Sequence, residues 1–139
     1  MITKNKVLAY IFRNNNGVKE LLVFDHRDFK DVSPQVPAGT VDDGEPFEVA
    51  AVREVYEESG LKFERPTSFL GSFYYRREDI NQIHKRHVYL FETDEVMDHW
   101  QHVVSDGDED KGLVFNYYWL PAEVAREKLV GSMGEYLPK

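Results

Sequence analysis

Glu54, Glu57 and Glu58 stand at i, i+3 and i+4 in a stretch that lacks glycine and proline from Phe47 to Ser59. On a helix that spacing gathers three carboxylates onto one face. Left alone, they repel one another. A hard divalent cation relieves the repulsion, because Mg²⁺ favours oxygen ligands and completes its shell with water and substrate phosphate. The rest of the stretch, Val49, Ala50, Ala51, Val52 and Val55, is small and apolar and suits a helix pressed against a sheet. Arg53 lies inside the acidic cluster and can form a bidentate pair with a carboxylate, Glu45 being the best placed. Gly39 and Gly44 bound the preceding loop, where glycine lets a carbonyl turn inward as a further ligand. Gly60 supplies the helix stop.

The elements that must position these groups follow from pattern. Lys6–Phe12 and Lys19–Phe24 are apolar, β-branched and aromatic runs flanking Asn14-Asn15-Asn16-Gly17, and predict a hairpin. Ser33–Val41, broken by Pro34 and Pro37, predicts an irregular loop feeding a short strand near Gly39. Pro46 to Ser59 predicts the carboxylate-bearing helix, with proline at its start and Gly60 at its end. Thr67–Arg76 and His87–Thr93 predict two further strands joined by a longer polar loop containing Asp79, Asn81 and Gln82. Glu95–His102 reads as a helical turn, Ser105–Gly112 as a loop, Leu113–Leu120 as a strand and Pro121–Val130 as a helix. With no repeat or linker, residues 1–139 are expected to form a single α/β (α+β) domain.

The charge distribution sharpens this reading. The chain carries 17 Lys and Arg against 25 Asp and Glu, for a net charge of −8. Most of the excess falls in two segments. Residues 39–61 set Asp42, Asp43, Glu45, Glu48, Glu54, Glu57 and Glu58 against Arg53 alone; residues 104–112 set Asp106, Asp108, Glu109 and Asp110 against Lys111. The remainder is close to neutral, so the acidity reads as a cation site rather than a general property. Without a basic block, no stable nucleic-acid complex is expected. The absence of cysteine removes disulfide and thiolate chemistry. No apolar run approaches the roughly 18 residues needed to span a bilayer, and no signal peptide is apparent, so a soluble cytoplasmic protein without membrane partners is expected.

Residues 39–61, GTVDDGEPFEVAAVREVYEESGL, resemble the Nudix box. Gly39, Glu45, Arg53, Glu54, Glu57, Glu58 and Gly60 match its fixed positions, and Val55 and Leu61 its aliphatic ones. The resemblance implies a Nudix-like α/β/α sandwich, a mixed β-sheet between helices. It also implies hydrolysis of a nucleoside diphosphate linked to another moiety, with Mg²⁺ or Mn²⁺ as cofactor and a nucleotide as small-molecule partner. Carried over, Glu57 and Glu58 are the principal metal ligands, Glu54 is a ligand or the base that activates water, and the Ala38 carbonyl is a further ligand. Glu45 and Arg53 then support the loop and helix. Several family members also bring a distant carboxylate to the metal, which makes Glu109 a candidate. Members occur as monomers or homodimers.

Arg27, Arg76 and Arg86, with Arg77 and Lys85, are candidates for phosphate contacts. The two H-x-x-H pairs, His84/His87 and His99/His102, lack a third ligand in a defined context, and no histidine metal site is expected. The proline cue of the ADP-ribose and coenzyme A branches is absent, and Tyr75 only approximates the tyrosine cue of dinucleoside polyphosphate hydrolases. Two alternatives remain: a nucleotide-binding regulatory module without turnover, and an isoprenoid diphosphate isomerase. The isomerase would ordinarily need a cysteine.

Overall fold

Asn16 and Gly17 both adopt positive φ, 53° and 87°, which is what a two-residue hairpin turn with the right-handed twist of its strands requires. They join β1 (Ile2–Asn15) to β2 (Val18–His26). After the proline-broken loop come β3 (Ala38–Thr40) and α1 (Phe47–Ser59), then β4 (Ser68–Arg77), a single 3₁₀ turn (Glu78–Ile80), β5 (Gln82–Glu92), β6 (His99–Val103), β7 (Val114–Pro121) and α2 (Ala122–Lys128). The computed structural model describes residues 1–32, 34–105 and 110–137.

The seven strands form one sheet in the order β4-β5-β1-β2-β7-β6, with β3 paired to β1. β1 and β5 run parallel from Ile2↔Gln82 to Phe12↔Glu92, while the other pairs are antiparallel. Alternation along the central strands makes two cores. Val7, Ala9, Ile11, Leu22 and Phe24 pack with Ala50, Ala51 and Val55 of α1. Leu8, Tyr10, Phe12, Leu21 and Val23 pack with Ala122 and Ala125 of α2 and with Met133 and Leu137 of the C-terminal segment. A period of two therefore sends successive residues to opposite helices, and the mixed sheet lies between them.

Three expectations are corrected. The connection after β4 is tight rather than long, because the parallel ladder with β1 draws polar Gln82–Arg86 into β5. Glu95–His102 is not helical: His99–Val103 forms β6 on the edge of the sheet, with Trp100 stacked on Tyr117 at 5.2 Å. α2 stops at Lys128, short of Val130, and the chain turns back so that the Tyr10 hydroxyl donates to the Met133 carbonyl at 2.6 Å. Pro46 is the cap of α1, extended at φ −60° and ψ 142°, and Phe47 begins the helix.

Candidate active site

The carboxylates of α1 face the loop that contains β3. Glu54, Glu57 and Glu58 are only 8%, 8% and 4% exposed, which is unusual for ionisable groups gathered so closely. Gly39 explains how Glu54 fits: a Cβ on residue 39 would lie 2.0 Å from the Glu54 Cδ, so only glycine leaves space for that carboxylate. Glu58 Oε1 accepts a hydrogen bond from the Ala38 N–H at 3.0 Å, which ties β3 to the helix.

Arg53 organises the other side. Its Nε and Nη2 donate to both Glu45 oxygens at 2.8 and 2.9 Å, its Nη1 reaches Glu54 at 2.8 Å and Glu57 at 3.2 Å, and its Nη2 also donates to the Thr40 carbonyl at 3.0 Å. One guanidinium thus links the loop, its acid and the helix. Glu45 in turn accepts from the Asp42 N–H at 3.1 Å, and its carboxyl is held below the usual range chiefly by the hydrogen bond from Arg53.

The last turn of α1 is pinned by side chains from β6 and β7. Tyr117 donates to the Glu58 carbonyl at 2.7 Å, His102 Nε2 lies 2.9 Å from the Glu57 carbonyl, and Trp100 donates to the Ser59 carbonyl at 3.1 Å. These carbonyls have no partner within the helix, so the contacts satisfy its end. Gly60 terminates it at φ 83°. Sequence reading does not single out Trp100 and His102 because Glu95–His102 looks helical, nor Tyr117, on a strand expected as such, because no local pattern says which strand aromatic reaches a distant helix end. In the structure His99, Gln101 and Val103 are exposed while Trp100 and His102 turn inward, an alternation that the residue types His-Trp-Gln-His-Val do not show by themselves.

Burial raises the Glu54 carboxyl to about 7; Arg53 opposes that rise, and the charges of Glu57 and Asp110 add to it. Glu58 is pushed well above its ordinary value by burial, then by the charges of Glu54 and Asp110. Buried oxygen donors short of positive charge are the donor set a divalent cation fits. Among the described residues these side chains do not form a closed group of three or more ligands, since Arg53 holds Glu54 and Glu57 while Glu58 faces Ala38.

A cleft of about 390 Å³ opens beside Glu58, Ala38 and Gly39. Arg86 and Arg77 line it, and so does Asp110. Arg76 does not; it is exposed and pairs with Glu78 at 3.4 Å. Arg27, also exposed and outside this lining, pairs with Asp28 at 3.1 Å. Glu109 lies outside the described residues, and the acid observed at the cleft is its neighbour Asp110.

Comparison with known proteins agrees with this architecture. The chain is similar to a Methanosarcina mazei Go1 MutT protein at TM-score 0.68 and 17% identity, over 97% of this chain and 90% of that one. It is similar to the NUDIX domain of Shewanella oneidensis NrtR, solved as a complex with ADP ribose, at TM-score 0.69 and 13% identity, over 97% and 84%. A Caenorhabditis elegans Ap4A hydrolase matches at TM-score 0.60 and 19% identity, over 90% and 85%. At such identities the likeness establishes the fold. The family is established separately: the NUDIX domain family model matches residues 3–139, so the chain belongs to the Nudix family of pyrophosphohydrolases.

Proposed function

We propose that the protein hydrolyses the pyrophosphate linkage of a nucleoside diphosphate joined to another moiety, with Mg²⁺ or Mn²⁺ as cofactor. The observation that carries this reading is the set of three buried box glutamates at the β3 loop, where Glu58 accepts from the Ala38 N–H and a Cβ on Gly39 is excluded by the Glu54 carboxylate itself. Glu57 and Glu58, with the Ala38 carbonyl, are the groups that would hold the cation, leaving Glu54 to act as the base. When bound, the cation supplies charge neutralisation on the phosphoryl oxygens and lowers the pKa of water.

The chain's own residues do the rest. Arg53 keeps Glu54 and Glu57 oriented through the hydrogen bonds described above and holds the β3 loop against them. Glu54 takes the proton of the attacking water on a carboxylate oxygen. Burial raises its carboxyl to about 7 without a cation, and a cation held beside it would favour the ionised form that can accept the proton. The water oxygen bonds to phosphorus, the bridging P–O bond breaks, and its electron pair leaves with the departing phosphate. Asp110, which bears on both Glu54 and Glu58, is a carboxylate brought to the site from the second half of the chain, next to Glu109, which lies outside the described residues.

The test is turnover of nucleoside triphosphates, nucleotide sugars, dinucleoside polyphosphates and capped RNA in Mg²⁺, with products identified. A nucleoside monophosphate or equivalent phosphorylated product is expected, and E57Q is expected to lose nearly all activity. Tight nucleotide binding with no phosphate or monophosphate released would establish the regulatory module instead, and full turnover by E57Q would sink the assigned roles.

A further inference from the structure

Arg86 is a buried guanidinium, 7% exposed, on the cleft wall formed by β4 and β5. Among the described residues no carboxylate pairs with it. Its neighbours are instead the Tyr75 ring, 4.0 Å from the guanidinium carbon, and the Gly131 carbonyl, which accepts a hydrogen bond from Nη1. Burial, with the charge of Arg77 adding to it, lowers its pKa to about 10, so it remains a cation at neutral pH. Burial, and after it the charges of Lys6, Arg86, Arg77 and Lys4, pushes His84 down to about 4 and keeps that imidazole neutral.

This cation is held in place rather than left at the surface. Gly131 sits at φ 59°, and a Cβ there would come 3.2 Å from the Tyr75 hydroxyl and 3.8 Å from Arg86 Nη2. Glycine at this point lets the C-terminal segment close over Tyr75 and Arg86 without the left-handed strain and tight Tyr75 contact that a side chain would bring. An isolated buried charge costs several kcal/mol, on the order of 5, unless something compensates it. A planar fork of N–H donors aimed into a cleft is the group that phosphate best compensates.

The cleft thus has two walls of opposite sign. Glu58 and Asp110 lie on one and recruit positive charge; Arg86 lies on the other and recruits negative charge directly. Across the sheet, Arg86 on β5 is in register with Lys6 on β1, and Lys6 with Thr40 on β3, so the walls stand two strand spacings apart, about 10 Å at the backbone. The geometry points to a substrate with two anionic stations: the pyrophosphate that is cleaved at the glutamate wall, and a further phosphate, on the moiety beyond it, held by Arg86. This rests on the pyrophosphohydrolase reading and narrows its substrates to nucleoside diphosphate derivatives bearing an additional phosphate, at the end of a polyphosphate chain or on a sugar.

The experiment compares substrates that differ only in that remote phosphate, in Mg²⁺ with the full chain: a dinucleotide with and without a ribose phosphate, and a dinucleoside tetraphosphate against the diphosphate. For at least one pair the wild type is expected to favour the phosphorylated member about tenfold or more in kcat/KM, through KM, and R86Q to bring that ratio near one. R86K keeps the charge without the fork and is expected to give an intermediate ratio; it carries the same test where R86Q is too unstable to assay. A wild type with no preference in either pair, or a ratio unchanged by the substitution, overturns the proposal. If free phosphate is what Arg86 holds, inorganic phosphate binds in calorimetry while the pairs show no ratio, and the substrate class is overturned. Absence of all turnover would refute the hydrolase reading alone, since affinities of the same pairs measured in EDTA still report on Arg86.

Discussion

Replacing Gly39 by alanine sets a methyl group where the Glu54 carboxylate now lies. The new Cβ would be 2.0 Å from Cδ and 2.2 and 2.3 Å from the two oxygens. Ordinary contact begins near 3.5 Å, so the carboxylate must retreat by roughly 1.5 Å or β3 must shift by as much. The side chain is not free to swing away, because it is 8% exposed and its Oε1 is held by Arg53 at 2.8 Å. Losing that charged hydrogen bond costs about 1.5–3 kcal/mol, while alanine returns about 0.4–1 kcal/mol by restricting the unfolded chain, so G39A should be destabilised by about 1–2 kcal/mol. Activity should suffer more. A misplacement of about 1 Å in a catalytic group can cost on the order of 100-fold, and G39A is expected to lose at least that in kcat with a smaller change in KM. Urea unfolding and steady-state kinetics read the two effects. The decisive comparison is G39A in an E54A background, where the methyl meets no carboxylate and its stability cost should disappear, giving a coupling above about 1 kcal/mol. Equal costs in the two backgrounds, or a G39A enzyme with wild-type kcat, would refute the steric argument.

Two further outcomes follow from the site. In EDTA the folded protein binds the Glu54 proton more tightly than the unfolded chain, with a pKa of about 7 against 4.5. Neutral Glu54 therefore contributes stability that is full below about 4.5 and is lost as pH rises through 7, up to about 3 kcal/mol. The difference between wild type and E54Q in urea melts from pH 5 to 8 isolates it, and excess Mg²⁺ should flatten the curve; a difference that stays level in EDTA would exclude the shift. Y117F leaves the Glu58 carbonyl without its 2.7 Å donor in a buried setting, and should lose about 1–3 kcal/mol in thermal or urea unfolding together with a several-fold fall in kcat. Unchanged stability would show that water or backbone takes over that carbonyl.

The helix that carries the glutamates was legible because everything that defines it is local: the i, i+3, i+4 spacing, the small apolar residues facing the sheet, and glycine at the αL stop. Its surroundings depend on partners distant in sequence. Gln82–Arg86 looks like a loop until Ile2–Lys6 runs beside it in parallel, and His99–Val103 becomes a strand only because β7 offers it an edge. The acidic loop supplies Asp110 to the cleft beside Glu58, but a loop has no fixed period, and nothing in its four acids within five positions marks Asp110 out in the sequence.

The choice between Arg76 and Arg77 shows the limit most clearly. Adjacent strand residues face opposite sides, so at most one of them can reach the cleft, and parity should identify it. Counted from Ser68 and Phe69 at the start of β4, parity fails, because a bulge between Phe69 and Gly71 inserts one residue and exchanges the two faces. Beyond the bulge, Phe73, Tyr75 and Arg77 alternate with Tyr74 and Arg76, and Phe73 packs in the core on the α2 side. The bulge itself is fixed from the far end of the chain: Gly71 adopts φ 141°, the Tyr136 hydroxyl donates to the Ser72 carbonyl at 2.7 Å, and a Cβ on Gly71 would sit 2.8 Å from that hydroxyl. The C-terminal segment that supplies Tyr136 also supplies Gly131 to Arg86. The register that turns Tyr75 and Arg77 toward the cleft and the carbonyl that orients Arg86 thus come from one short stretch of chain. Residues 129–137, compositionally unremarkable and far from the box, are as much a part of the cleft wall as the strands they cover.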